Sequence, residues 1–311
     1  MTAISETQSA GFSHPALFYR DEQSYLAGTV PFVLEGLDRD EPVAVAVPEP
    51  NLRRIEAALG DAAGAVRLID MSEAGRNPGR IIAGVLRAFA DQHDGHVRII
   101  GEPIWPGRTE QEYPACVQHE ALINESFAGW DGAILCPYDA GRLDAAVLAD
   151  AEATHPVLLD GDGPRRSTRY APYDVLARCN TLLEAPPAVE TMRFDATTLS
   201  RARHFAVDRA AAHGVSDDRL DELALVVGEL CGNSVLHGGG SGTLRTWRDD
   251  EAVVCEVSDA GHLTDPLAGR RPAHPTQQGG RGLLLVHHLA DLVRTHTSPA
   301  GTTTRAFFRL R

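Results

Sequence analysis

Between residues 14 and about 180, short apolar runs alternate with longer segments in which apolar residues recur every three to four positions. PVAVAVP (42–48), VRLID (66–70), VRIIGEP (97–103), GAILCPYD (132–139) and PVLLD (156–160) are bounded by Pro, Gly or Asp and read as strands. Helical periodicity marks the segments between them: DEQSYLAGTVPFVLEGL (21–37), PNLRRIEAAL (50–59), PGRIIAGVLRAFADQ (78–92), EQEYPACVQHEALINESF (110–127) and GRLDAAVLADAEA (141–153). About five strands alternating with helices predict an α/β domain, a mainly parallel sheet flanked by helices.

The pattern changes after LLEAPPAVETMRF (182–194). The Pro186-Pro187 pair fits neither a helix interior nor a central strand, so a boundary falls there. DATTLSRARHFAVDRAAAHG (195–214) predicts an amphipathic helix capped by Thr197 or Thr198 and ended at Gly214. SDDRLDELALVVGELCGNSVLHG (216–238) predicts a second helix with Ser216 at its N-cap. GTLRTWRD, AVVCEVSDA and TTTRAFFRLR read as strands, and GRGLLLVHHLADLV (280–293) as a helix between the last two. Strands set among helices without strict alternation predict an α+β sandwich. The expected organisation is a mobile tail (1–12), a first domain (13–185), a linker (186–192) and a second domain (193–311).

Length and composition agree with two globular domains: 311 residues, 43% hydrophobic and 23% charged. The net charge of −14 opposes wrapping nucleic acid or lying on an anionic membrane, and suits protein or small-molecule partners. Five scattered cysteines form no CxxC pair, and no two His or Cys residues of the first domain have metal-ligand spacing. The N-terminus lacks a basic region followed by an apolar block, and no apolar run reaches the ~18 residues of a membrane span. A cytoplasmic protein is expected.

The candidate chemistry lies in four short signals of the second domain. Glu229 and Asn233, in GELCGNSVLHGGG, stand one helical turn apart on one face, where a carboxylate takes a proton and a carboxamide holds a hard cation. Asp259 and Gly261 follow a strand in VSDAG. Gly280, Arg281 and Gly282, in GGRGL, open a helix whose backbone N–H groups suit phosphate oxygens. Gly301 and Thr302 enter the last strand. Taken singly each has a plainer reading: a solvated face, a turn cap, a flexible turn, an ordinary strand entry.

Together, in order and spacing, the four resemble the nucleotide-binding boxes of the GHKL ATPases over about residues 193–311. The resemblance implies the Bergerat ATPase fold and binding of ATP with Mg²⁺. Its roles carry over as Glu229 catalytic, Asn233 on Mg²⁺, Asp259 on the adenine amino group with Gly261 beside it, Gly280 and Gly282 under the phosphates, and Gly301 and Thr302 at the adenine side. Arg281 interrupts the glycine box and would reach phosphate or the ATP lid, expected at about 262–279. His262 and Leu263 stand where many relatives carry another glycine. Within the family the run from Leu199 to Gly239 looks like the bacterial anti-sigma factors of serine-kinase type. That branch implies a bound sigma factor and phosphorylation of a STAS-type anti-anti-sigma protein on serine. Two alternatives stay open: a non-catalytic protein-binding module, and a sensor histidine kinase, for which no acceptor histidine is visible.

In the first domain HPALFYRDEQSYL (14–26), GEPIW (101–105), LINESF (122–127) and LCPYD (135–139) resemble the MEDS sensory domain. This resemblance covers about residues 11–180 and implies sensing of a small ligand. Ligands of open α/β sheets bind beyond the carboxyl ends of the strands, so the candidate ligand residues are His14, Tyr19, Glu102, Trp105 and Tyr138. His14 has a plainer reading as a satisfied core histidine, and Cys136 as a small hydrophobe. A homodimer is compatible with the sequence, which names neither the signal nor the partners.

Overall fold

The computed structural model describes residues 11–187, 189–272 and 280–310. The chain divides into two units, Met1–Cys179 and Asn180–Arg311. The tail expected over 1–12 lies outside the described residues as far as residue 10, and Phe12–Ser13 already form a strand.

The first unit carries β1 (Phe12–Ser13), β2 (Pro15–Tyr19), β3 (Val43–Val47), β4 (Arg67–Asp70), β5 (Val97–Gly101), β6 (Gly132–Asp139), β7 (Val157–Asp160) and β8 (Gly163–Arg166). They form one sheet in the order β4-β3-β5-β6-β2-β7-β8, with β1 also on β6. Every pairing is parallel except β7 with β8. All five expected strands are present. β2 was not expected, because PALFY is short and follows a histidine and a serine, yet it lies between β6 and β7.

Strands β3, β5 and β6 are buried along their whole length, as parallel strands covered on both faces must be. Val43, Val45 and Val47 pack with Tyr25 and Val33 of the helix Glu22–Asp38 and with Ile55 and Leu59 of the helix Glu49–Leu59. The first of these helices starts at a capping box: Asp21 accepts the Ser24 N–H at 2.7 Å, and the Ser24 hydroxyl accepts the Asp21 N–H at 3.1 Å. The segment expected as one helix over 78–92 is instead a 3₁₀ turn (Pro78–Arg80), a wide π-type segment (Ile82–Arg87) and a last α turn (Ala88–Ala90). Asn77 accepts the Gly79 N–H, holding the Pro-Gly start in the tighter turn.

The second unit is a five-stranded antiparallel sheet: β9 (Glu190–Asp195), β10 (Ser241–Arg248), β11 (Ala252–Asp259), β12 (Leu292–Ser298) and β13 (Gly301–Arg309), in the order β12-β13-β11-β10-β9. Helices Leu199–Ala212, Asp217–His237 and Gly282–Leu289 share a core with one face of it. Leu244, Val253, Cys255, Val257, Ala306 and Phe308 of the sheet cluster with Ala202, Ala206, Leu223, Val226, Val227, Leu230 and Val286. Away from that core, Glu256 is fully buried between cross-strand neighbours Arg245 and Arg305, at 2.7 and 2.6 Å.

Two strands here escape the sequence pattern. β9 begins inside the segment expected as linker. The helix expected over 280–293 ends at Leu289, and Leu292 starts β12. Asp291 holds that turn, accepting from Arg219 at 2.7 Å and from the Arg309 backbone N–H at 2.8 Å. Thr198 stands at the N-cap of Leu199–Ala212, with its hydroxyl on Asp195 rather than on the helix, and Ser216 makes no side-chain cap bond. The fold classes expected from the sequence, a mainly parallel α/β sheet and an α+β sandwich, are both present. No helix among the described residues is long and apolar enough to cross a membrane.

Candidate functional site

The helix Asp217–His237 turns Leu223, Val226, Val227, Leu230, Cys231 and Ser234 to the core. It is not buried all round: Leu225 and Leu236 are 53% and 76% exposed. Glu229 and Asn233 sit between the two faces, half-buried, and neither makes a hydrogen bond or ion pair among the described residues. An unpartnered carboxylate and carboxamide one turn apart keep their full capacity to accept.

The end of this helix meets the end of β11. Ser234 donates to Asp259 Oδ2 at 2.6 Å, and the Gly261 N–H donates to Asp259 Oδ1 at 2.8 Å. Each carboxylate oxygen still has a lone pair to offer. The loop after Asp259 is tied to β13: Thr302 donates to the Gly261 carbonyl at 2.8 Å, and the Leu263 N–H reaches Thr297 Oγ1 at 2.9 Å. The backbone register opposes Asp259 to Thr302. Gly301, at φ 147°, packs so closely under this pair that a Cβ would lie 2.4 Å from the Asp259 carbonyl oxygen.

The glycine-rich turn closes the other side. A Cβ on Gly282 would lie 2.3 Å from Glu229 Oε2 and 3.7 Å from Asn233 Nδ2, so the helix start runs close against this pair. The first N–H groups of Gly282–Leu289 have no intrahelical acceptor. Between these elements is a cavity of about 650 Å³. Asn233, Asp259, Gly261, Gly280, Gly282 and Thr302 line it, with apolar walls from Leu230, Val257, Leu263 and Leu283. Glu229 stands at its edge against Gly282, Gly301 lies beneath Asp259, and Arg281 is exposed and does not line it. Of the segment expected as a lid, residues 273–279 lie outside the described residues, and Gly279 of the glycine box with them. Residues 262–272 run along the cavity, Arg271 paired with Asp265 at 2.9 and 2.8 Å. Sequence reasoning missed Ser234 and Thr297. Ser234 is one residue past Asn233, on the helix face that meets the strand end, and that adjacency was the available signal.

In the first unit the structure divides the five candidates. Tyr19, Glu102 and Trp105 line one cavity of about 300 Å³ with Tyr25, Asn51, Arg54 and Asp139. It opens beyond the carboxyl ends of β3 and β5, whose following connections run to opposite sides of the sheet, the topological switch point of such folds. Glu102 is buried at its floor. Asn51 Nδ2 donates to both its oxygens at 3.0 and 2.8 Å, and the Tyr19 and Tyr25 hydroxyls stand at 3.3 and 3.4 Å. Burial outweighs these bonds and pushes the Glu102 carboxyl up to about 8. Burial, then the Glu102 charge, likewise raises both tyrosines. His14 and Tyr138 lie elsewhere, in a buried group with Glu120, Cys136 and His155. Burial and the Glu120 charge hold the Cys136 thiol well above its usual range, so it is no reactive thiol.

Fold and site together define the class: an α/β unit with a small cavity at its sheet's switch point, followed by an antiparallel α+β sandwich with a larger, glycine-edged cavity. Residues 13–156 match the family model described as MEDS, the methanogen/methylotroph, DcmR sensory domain. Residues 192–308 match that of the histidine kinase-like ATPase domain, which has the GHKL fold. The chain is thus a MEDS domain joined to a histidine kinase-like ATPase domain. Among solved structures, the crystal structure of the RsbU and RsbW domains of Rv1364c from Mycobacterium tuberculosis is similar at 19% identity and a TM-score of 0.31. The match covers 40% of this chain and 33% of that one, so this chain spans about a third of that neighbour's length. Comparison with curated proteins gives no match.

Proposed function

We propose that the C-terminal domain binds Mg-ATP in the 650 Å³ cavity and works as a partner-switching anti-sigma regulator, phosphorylating a serine of a STAS-type antagonist and holding a sigma factor. The observation that carries the reading is convergence. Asn233, Asp259, Gly261, Gly280, Gly282 and Thr302, from four separate stretches, meet on one cavity of ligand size. The pocket's chemistry fits the group: one end offers a carboxylate with spare lone pairs beside apolar walls, the other a carboxamide and free helical N–H groups. Asp259 would accept the adenine amino group, held in place by Ser234 and the Gly261 N–H. The N–H groups at Gly282 would face the phosphates.

Mg²⁺, when bound, neutralises charge on the phosphates, and Asn233 is the residue that would hold it. Glu229 would take the proton of the incoming serine hydroxyl as its oxygen bonds to the terminal phosphorus and ADP leaves. Phosphoryl transfer asks for little else than position and charge. For the MEDS domain we assign the cavity of Tyr19, Glu102 and Trp105 as the seat of a small polar ligand whose binding sets the activity of the second domain.

The test is calorimetric titration of Mg-ATP into the wild type and Asn233→Ala. Saturable binding that the variant loses or strongly weakens supports the site, and a folded wild type that takes up no nucleotide sinks it. One observation favours a second reading, ATP held without transfer: Glu229 sits against Gly282, at the cavity's edge rather than in its lining. Mixing the protein, labelled ATP and candidate STAS proteins separates the two, since only the first reading yields phosphoserine.

A further inference from the structure

Four of the five buried side chains set aside above come from four different elements. His14 stands at the break between β1 and β2, Glu120 in the helix Tyr113–Ser126, Cys136 in β6, and His155 at the end of the helix Ala145–Thr154. Each is at most 1% exposed. His14 Nε2 lies 3.3 Å from Cys136 Sγ and 3.3 Å from Glu120 Oε2, and His155 Nε2 lies 3.2 Å from the same Glu120 oxygen. All four ligand-type atoms fall within 4.8 Å of one another.

Hydrogen bonding within the group does not explain this arrangement. The His155 Nδ1 faces the Ala151 carbonyl at 2.8 Å, and a carbonyl only accepts, so Nδ1 carries a hydrogen. In the neutral ring Nε2 then presents a lone pair, 3.2 Å from a carboxylate oxygen. Among the described residues neither Glu120 oxygen nor His155 Nε2 has a hydrogen-bond partner, although all three atoms are buried. Buried acceptors aimed at each other are unfavourable unless a positive centre lies between them. The spacing suits such a centre. Metal–ligand bonds of about 2.0–2.3 Å in a tetrahedron set its ligands about 3.3–3.8 Å apart, and three of the separations here are 3.2–3.3 Å.

We propose that the MEDS domain binds one divalent transition-metal ion, zinc by its ligand chemistry, through His14 Nε2, Glu120, Cys136 Sγ and His155 Nε2. One thiolate, two imidazoles and one carboxylate form a borderline-soft set suited to four-coordinate zinc rather than to Mg²⁺ or Ca²⁺. The carboxylate and thiolate balance the two positive charges, and the thiol proton leaves to solvent as the Cys136–metal bond forms. The His155 bond to Ala151 is the outer contact that metal-bound imidazoles commonly make, fixing the tautomer and the ring plane. Burial makes this a closed site that fills as the domain folds, with no open position for substrate.

The test uses the full chain produced in cells supplied with Co²⁺ in place of Zn²⁺. About one Co²⁺ per chain is expected, with the visible bands of a tetrahedral ion and a thiolate-to-metal absorption in the near ultraviolet. Cys116→Ser, a buried thiol in the same helix as Glu120, keeps that absorption; Cys136→Ser loses it, and Glu120→Gln lowers the metal content. A wild type without metal, or a spectrum that Cys136→Ser leaves unchanged, overturns the proposal. X-ray absorption on the zinc-loaded wild type decides without variants: one sulfur at about 2.3 Å with nitrogen and oxygen at about 2.0–2.2 Å is expected, and a shell lacking sulfur refutes the site.

Discussion

Replacing Asp259 by Asn tests the proposed adenine end of the cavity while leaving its shape almost intact. The side chain has two assigned neighbours, the Gly261 N–H on Oδ1 and the Ser234 hydroxyl on Oδ2. In Asp259→Asn the amide oxygen stays with Gly261, because a backbone N–H must meet an acceptor. The new NH₂ then takes the place of Oδ2, and Ser234, which accepts as readily as it donates, turns to meet it. The fold survives, and what changes is the group offered to the cavity: a donor where a charged acceptor stood. An adenine amino group then loses one charge-assisted bond, about 1.5–3 kcal/mol, or ~10- to 150-fold in Kd. Guanine carries an acceptor at the corresponding position, so the variant's preference for ATP over GTP narrows or inverts. Calorimetry with both Mg-nucleotides, alongside a thermal melt to show the variant folded, reads both effects. Unchanged ATP affinity together with unchanged discrimination against GTP would refute the assignment of Asp259 to the base.

Three further outcomes follow. Glu229→Gln keeps ATP affinity within a few-fold but slows transfer to a serine acceptor by ~10²–10⁴, the usual worth of a general base, as read by phosphoprotein formation in a single turnover. Ser234→Ala leaves Asp259 Oδ2 without its 2.6 Å partner, lowers stability by ~1 kcal/mol in a denaturant melt and weakens ATP binding several-fold. In the MEDS domain, Glu102 holds its proton up to about 8 when folded and releases it near 4.5 when unfolded. The folded state then binds the extra proton, so its contribution is full below pH 4.5 and fades as pH rises to 8, at no more than ~1.4 kcal/mol per pH unit. Glu102→Gln flattens that part of the stability profile, and a profile identical to wild type would contradict the buried acid.

What the sequence made legible follows from how local each signal is. The buried parallel strands show as unbroken apolar runs, and the ATPase boxes show because Glu229 and Asn233, or Gly280 and Gly282, are near neighbours in the chain. β12 stayed hidden because LVRTHTS continues the apolar run of the preceding helix, and only the Asp291 anchor, on Arg219 some seventy positions away, ends that helix. The group around Glu120 was invisible for the same reason: its members are spread over residues 14, 120, 136 and 155, with no ligand spacing anywhere. One clue did exist. The helix Tyr113–Ser126 is buried on nearly every side, and His119 and Glu120 at its centre need a reason to be there.

The position of β2 has a consequence for how the protein is made. PALFY precedes β3, β4 and β5 in the chain, yet its partners in the sheet are Cys136–Asp139 and Val157–Leu159. One of its edges therefore stays unpaired until β6 has been made and the other until β7, about 120 and 140 residues further along the chain, while β3, β4 and β5 already have one another to pair with. A strand made before β3, β4 and β5 is thus seated after them, and the nascent chain carries an open, apolar template for wrong pairing throughout that interval. A stalled or truncated product ending before β7 leaves that template exposed, so soluble yield should rise abruptly once the chain extends past Asp160 rather than in proportion to its length.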